Sequence, residues 1–111
     1  MENANFEDFQ QLDFRIGTIL KAEEFPEAKK PAYKLTIDFG DLGTKQSSAQ
    51  ITKRYKTAEL IGKQVMAVFN FPPLKIAGFK SEVLVLGVTP SVGDVVLLGS
   101  EHPLPNGSVV R

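Results

Sequence analysis

Apolar residues in this chain recur mainly at every second position. Leu12, Phe14, Ile16, Thr18, Leu20 and Ala22 keep that period, which predicts a long strand from Leu12 to Phe25. Gly17 interrupts it and predicts a bulge or a sharp bend. After a loop bounded by Pro26 and Pro31, Tyr33, Leu35, Ile37 and Phe39 alternate with Lys34, Thr36 and Asp38, as in a half-buried antiparallel strand. Gly40 to Gly43 reads as a hairpin turn into a more polar third strand, Thr44 to Ile51. In a fourth strand, Gln64 to Asn70, Val65, Ala67 and Phe69 face one way and Met66 and Val68 the other, so both faces are expected to be buried. Phe71-Pro72-Pro73 ends it. Val83 to Val88 predicts a fifth strand, and Val95 to Leu98 a further one after a turn at Gly93-Asp94.

Two stretches leave this period. Asn5 is placed to cap a short helix over 6–11, with Glu7 and Asp8 in its first turn, where the helix dipole favours acids. A helix this short must be held by packing, so Phe6 and Phe9 need a surface to cover. Thr57 to Gly62 reads as a second short helix, with Thr57 as N-cap and Gly62 just past its end. The tail, with Pro103, Pro105 and Asn106-Gly107, is turn-rich and ends on Val109-Val110.

Three strands, a short helix and two more strands are the layout of an OB-fold. The expectation is therefore a mainly β chain: a five-stranded OB-fold barrel with a short N-terminal helix, a short helix between strands three and four, and a C-terminal extension with extra strands. An SH3-like barrel or a small sandwich fits the same spacing. An OB-fold offers strands two and three and the flanking loops to ligands. That points to Lys34, Lys45, Gln46, Ser48, Gln50 and the 51–56 loop.

The length of 111 residues suits one domain spanning 1–111. No cysteine is present, which excludes a disulfide framework and thiolate metal sites, and a single histidine, His102, excludes a histidine cluster. The N-terminus is acidic and polar, unlike a secretory signal, and the apolar runs are far too short to span a bilayer, so a cytoplasmic protein without membrane insertion is expected. Asn106-Gly107-Ser108 matches a glycosylation sequon, which such a compartment makes irrelevant.

The formal net charge is zero, but its distribution is uneven. Residues 1–27 carry Arg15 and Lys21 against seven acids, a net of −5. Residues 28–80 carry ten Lys and Arg against Asp38, Asp41 and Glu59, a net of +7. Residues 81–111 carry Arg111 against Glu82, Asp94 and Glu101, a net of −2. A basic middle between acidic ends can present a local positive field.

Within that basic middle, Lys53-Arg54-Tyr55 with Lys56 interleaves cations and an aromatic ring, a pattern suited to phosphates and stacked bases. The same residues also suit an exposed linker with Tyr55 packed on the barrel. Asn70 to Ser81 places Lys75 and Lys80 around Leu74, Ile76 and Phe79, which suits an extended peptide or a nucleotide, or a loop closing the core. Gln46, Ser48 and Gln50 put amides and a hydroxyl on alternate strand positions. Enzymatic chemistry has little support: Ser47 and Ser48 lack a base, Glu23, Glu24 and Glu27 read as a solvated cluster, and no Gly-rich loop opens a helix to hold a cofactor's phosphate.

Ordered motifs across residues 6–111 resemble a known family. Leu12-Asp-Phe-Arg-Ile-Gly-Thr-Ile19, Pro26-Glu-Ala28, Leu60-Ile-Gly-Lys-Gln-Val65 and Asn70-Phe-Pro-Pro-Leu-Lys-Ile-Ala-Gly78 resemble the tRNA-binding domain appended to methionyl- and phenylalanyl-tRNA synthetases. Lys45 to Tyr55, Asn70 to Pro73 and Ala77 to Val83 are most similar to the CsaA-type secretion chaperones within that family. Val83-Leu84 stand where tRNA-binding members carry Gly-Met, and the bulkier Val83 is expected to reshape the groove.

The resemblance implies an ATP-independent, export-related chaperone without a cofactor. It implies a homodimer built from the N-terminal helix, with Phe6 and Phe9, and from the tail 89–111. Its partners would be preproteins or unfolded peptides and the export machinery, with tRNA as the alternative ligand. Together with the residue patterns above, this gives a candidate peptide- or RNA-binding site of Gln46, Ser48, Gln50, Lys53, Arg54, Tyr55, Asn70, Phe71, Lys75, Phe79, Lys80, Ser81 and Glu82.

Overall fold

The structure is a computed structural model describing residues 1–111. The elements run α1 (Phe6–Gln10), β1 (Phe14–Glu24), β2 (Tyr33–Asp38), a 3-10 turn (Gly40–Leu42), β3 (Thr44–Ala49), α2 (Thr57–Leu60), β4 (Gln64–Val68), β5 (Leu74–Ile76), β6 (Phe79–Ser81), β7 (Leu84–Val85), β8 (Gly87–Ser91), β9 (Asp94–Leu97) and β10 (Val109–Val110). The principal sheet has the order β3-β2-β1-β4-β7, with β10 also paired to β1. Every pairing in it is antiparallel. These five strands form the nearly closed barrel of an OB-fold.

The alternation in β2 reappears as burial: Tyr33, Leu35 and Ile37 point inward and the residues between them are half-buried. With Ile19, Phe39, Ala49, Ile51, Leu60, Val65, Ala67 and Val83 they form the core. Val68 is buried and Met66 half-buried on the other side of β4, as expected for a strand covered on both faces.

The seam between β3 and residues 81–83, which run from the end of β6 into β7, is closed chiefly by side chains. Ser47 Oγ donates to the Val83 carbonyl at 2.9 Å, and the Gln46 amide donates to Glu82 Oε1 at 3.1 Å. The Ser48 amide donates to Ser81 Oγ at 3.0 Å. One backbone bond joins them, from the Glu82 amide to the Gln46 carbonyl at 2.8 Å.

Several local expectations change. The bulge in β1 falls between Ile19 and Lys21, not at Gly17. A Cβ on Gly17 would sit 2.7 Å from Ile37 and 2.8 Å from Phe39, so this glycine lets β1 press on the core. Helix α2 is capped one residue earlier than expected: Lys56 is the N-cap, and its amide donates to Glu59 Oε1 at 2.9 Å. The expected fifth strand is two elements, β7 and β8, and only β7 belongs to the barrel. Residues 74–81 are not a loop but a hairpin, β5–β6, turned at Ala77-Gly78. Ala77 is the one non-glycine residue with positive φ, at 47°, and Gly78 follows at 83°, the backbone signs of a type I′ turn. Val83 is only 4% exposed; its bulk fills the core, not a groove.

At the N-terminus, Asn5 Oδ1 accepts from the Asp8 amide and Asp8 Oδ2 from the Asn5 amide. This reciprocal pair satisfies two donors that a helix start leaves open. Phe6, Phe9 and Phe14 stack in sequence, with centroids 6.1 and 5.5 Å apart, yet Phe6 remains 69% exposed.

Candidate ligand-binding site

Two hairpins flank the barrel, and the sequence-predicted residues divide between them. Hairpin β5–β6 lies over the open side of β3. Register places Lys75 directly opposite Lys80. Both are exposed, and neither has an acidic partner. Like charges facing each other across a strand pair are unfavourable. An anion between them would remove that repulsion.

Below the turn, Phe25 and Phe79 meet edge-on with centroids 5.5 Å apart, and Lys34 Nζ lies 5.4 and 5.8 Å from the two rings. Lys34 thus adds an aromatic-bound cation to the same face. Between the 27–32 loop and Ile76-Ala77 runs a groove of about 460 Å³, lined also by Ser48, Gln50, Lys29, Lys30 and Lys75. The strained Ala77 turn forms part of its wall. Of the sequence-predicted residues, Ser48, Gln50 and Lys75 line this groove, Phe79 and Lys80 stand on the same hairpin, and Gln46, Ser81 and Glu82 lie in the adjoining seam. The Gln46 amide, Ser81 and Glu82 are engaged in that seam, while Lys75, Lys80 and Gln50 are free.

The residues 53–55 lie elsewhere. Arg54 makes a two-pronged pair with Asp94, Nε to Oδ1 at 2.9 Å and Nη2 to Oδ2 at 2.7 Å. Lys53 Nζ donates to the Val92 carbonyl at 3.4 Å. Tyr55 Oη accepts from the Leu97 amide at 3.0 Å, and Tyr33 Oη donates to the Tyr55 carbonyl at 2.7 Å. Three consecutive residues therefore fasten hairpin β8–β9 to the barrel. The hydrogen bonds from Arg54 hold the Asp94 carboxyl below the usual carboxylate range. Burial, then Glu24 and Glu59, push the Tyr33 phenol above its ordinary value, so it stays a donor.

Asn70 is also engaged, since its Oδ1 accepts from the Asp13 amide and its Nδ2 donates to the Gln11 carbonyl, both at 2.9 Å. It pins the corner between α1 and β1. Phe71, beside it, is exposed. Sequence reading put Lys34 on this face but missed Lys29 and Lys30 as partners of Lys75 in the groove; they come from the loop between Pro26 and Pro31.

Two further concavities lie away from this face. An apolar groove of about 270 Å³ runs between Phe6, Phe9 and Leu12 on one side and Val109 and Val110 on the other. A polar hollow of about 740 Å³ lies beside 99–103 and includes Lys63, Gln64 and His102; Tyr55 is the one predicted site residue to reach it. No group of three or more His, Cys, Asp or Glu side chains could hold a metal ion, and no helix is long and apolar enough to cross a membrane.

A small barrel carrying a cation-rimmed groove between the 27–32 loop, the end of β3 and hairpin β5–β6 is an OB-fold module. Residues 14–109 match the family described as "Putative tRNA binding domain". The crystal structure of chaperone CsaA from Bacillus anthracis strain Ames has a TM-score of 0.96 and 64% identity, covering 99% of this chain and 100% of that one. CsaA of Picrophilus torridus follows with 0.90 and 49%, covering 98% and 100%. The methionine–tRNA ligase of Porphyromonas gingivalis is 37% identical over 110 residues, 99% of this chain and 16% of the ligase. The chain thus spans about a sixth of the length of the curated relatives it matches. It belongs to the tRNA-binding-domain family and, within it, to the CsaA type.

Proposed function

We propose that this chain, as one unit over 1–111, is an ATP-independent chaperone that binds unfolded polypeptide segments as a homodimer and keeps preproteins competent for export. The observation that carries this reading is the full-length likeness to chaperone CsaA at 64% identity. The geometry supports it: half-buried Ile76 in the groove and half-buried Phe79 beside it offer apolar contact, and Lys29, Lys30 and Lys75 line the rim. Burial of apolar client surface supplies most of the affinity. The acidic stretch 1–27 suits the basic segments of a client, and two sites per dimer add avidity for a long chain. The dimer would use Phe6, Phe9 and Val109 together with the exposed hairpin β8–β9, where Val88 is 54% and Val92 97% exposed. An unpartnered apolar surface of this kind marks an interaction site. The test is suppression of aggregation of an unfolded client by the purified chain without nucleotide. A requirement for ATP overturns the mechanism.

A second reading, a tRNA-binding module of the same groove, is favoured by the unneutralised Lys75–Lys80 pair and by the family's description. Phosphate contacts make affinity fall steeply with salt. Measuring tRNA affinity at two salt concentrations tests it, and absence of micromolar binding at low salt removes it.

A further inference from the structure

Asn106-Gly107 is the dipeptide most open to spontaneous deamidation, because a glycine amide meets no side chain on its approach to the preceding carboxamide. We infer that this site is locked while the tail is docked, and that its reaction stops the tail from docking again.

The reaction needs only water. The Gly107 amide nitrogen attacks Asn106 Cγ, the Cγ–Nδ2 bond breaks, and ammonia leaves with the amide proton. Water then opens the resulting succinimide to aspartate or isoaspartate.

Both reacting groups are held apart from this path. The Gly107 amide donates to the Ile16 carbonyl at 2.7 Å. Asn106 Oδ1 accepts from Thr18 Oγ1 at 2.6 Å and from Gln64 Nε2 at 3.2 Å, and its Nδ2 donates to Asp38 Oδ2 at 3.2 Å. Gln64 is fixed in turn by the Leu104 carbonyl and amide and by Ser100.

The fold also dictates the labile pair. Gly107 has φ +89°, and a Cβ there would lie 2.5 Å from the Phe39 carbonyl oxygen, so no other residue fits. Position 106 must accept from Thr18 and donate to Asp38 at once; a carboxamide does both, and an ionised carboxylate cannot donate. Aspartate at 106 faces Asp38 with like charge and no proton between them. Isoaspartate adds a main-chain carbon and throws Gly107 and Ser108 out of register with Ile16, freeing β10.

Peptide mapping by mass spectrometry at mildly alkaline pH, on the native chain and on the chain unfolded in urea, tests the lock. Asn106 is expected to convert at least about tenfold more slowly in the native chain, the ratio being set by how rarely the tail opens. Equal rates overturn the lock. Asn106→Asp is expected to lose hydrogen-exchange protection at the Gly107 and Ile16 amides. Asp38→Asn added to it restores a donor and is expected to recover that protection. Retained protection in the single variant overturns the second half, as does failure of the pair to recover it. If the single variant does not fold, the double variant still decides, because only it rebuilds the missing bond.

Discussion

Hairpins β5–β6 and β8–β9 are each two short antiparallel strands outside the barrel sheet, and each leans on it through polar side chains. They differ in what the fastening consumes. The first is stitched by Ser81 and Glu82 to backbone amides of β3, which leaves Lys75 and Lys80 without partners. The second is stitched by Arg54, Lys53 and Tyr55, so cations that look available are already engaged, and what stays exposed is apolar. A basic residue marks a ligand site only when the fold has left its charge unspent.

Removing the frame breaks the comparison most severely. Leu35 is fully buried in β2, and Leu35→Ala is expected to remove about 2–5 kcal/mol of stability. Denaturant unfolding checks it, and both hairpins should lose protection together. Next is Lys75→Gln with Lys80→Gln. If β5–β6 presents the free charge, tRNA affinity at low salt falls roughly tenfold, the salt slope drops by about 2, and stability is unchanged or slightly raised. The same loss from Lys53→Gln alone would erase the distinction.

Tyr55→Phe sharpens the other side. It leaves the half-buried Leu97 amide without an acceptor, at a cost of about 1 kcal/mol. Amide exchange should rise in β9 and stay unchanged in β5–β6. The smallest effect is acidification. Asp94 has its carboxyl lowered by Arg54, so the stabilisation is complete above the ordinary carboxylate range and is lost only as pH falls through the lowered value. Following β9 amides during an acid titration should show that step, and Asp94→Asn should remove it.

The barrel was legible because its long strands carry period two over five or more positions, as Tyr33 to Phe39 do. Short elements were not. Leu74–Ile76 and Phe79–Ser81 are three residues each, too few to separate alternation from a stiff loop, and their turn uses Ala77 in a conformation where glycine or asparagine is the usual sign. Ser48 and Gln50 of the groove could be gathered from alternate strand positions, whereas Lys29 and Lys30 come from a loop with no such period. The role of Arg54 could not be read either, because Asp94 lies forty residues further along the chain. Gly17 interrupts the period of β1 and so reads as a bulge or bend, but its effect is close packing against Ile37 and Phe39.

The seam between β3 and residues 81–83, just ahead of β7, has a mechanical side. A hoop of continuous backbone ladder has a fixed girth. Here the last joint is tied largely by two hydroxyls and a carboxylate, the side chains of Ser47, Ser81 and Glu82. Such ties lengthen by rotating about single bonds, so the barrel has one place where its circumference gives without tearing a strand pair. The groove opens beside that joint, and a guest wedged between β3 and β5–β6 pulls on the same three knots.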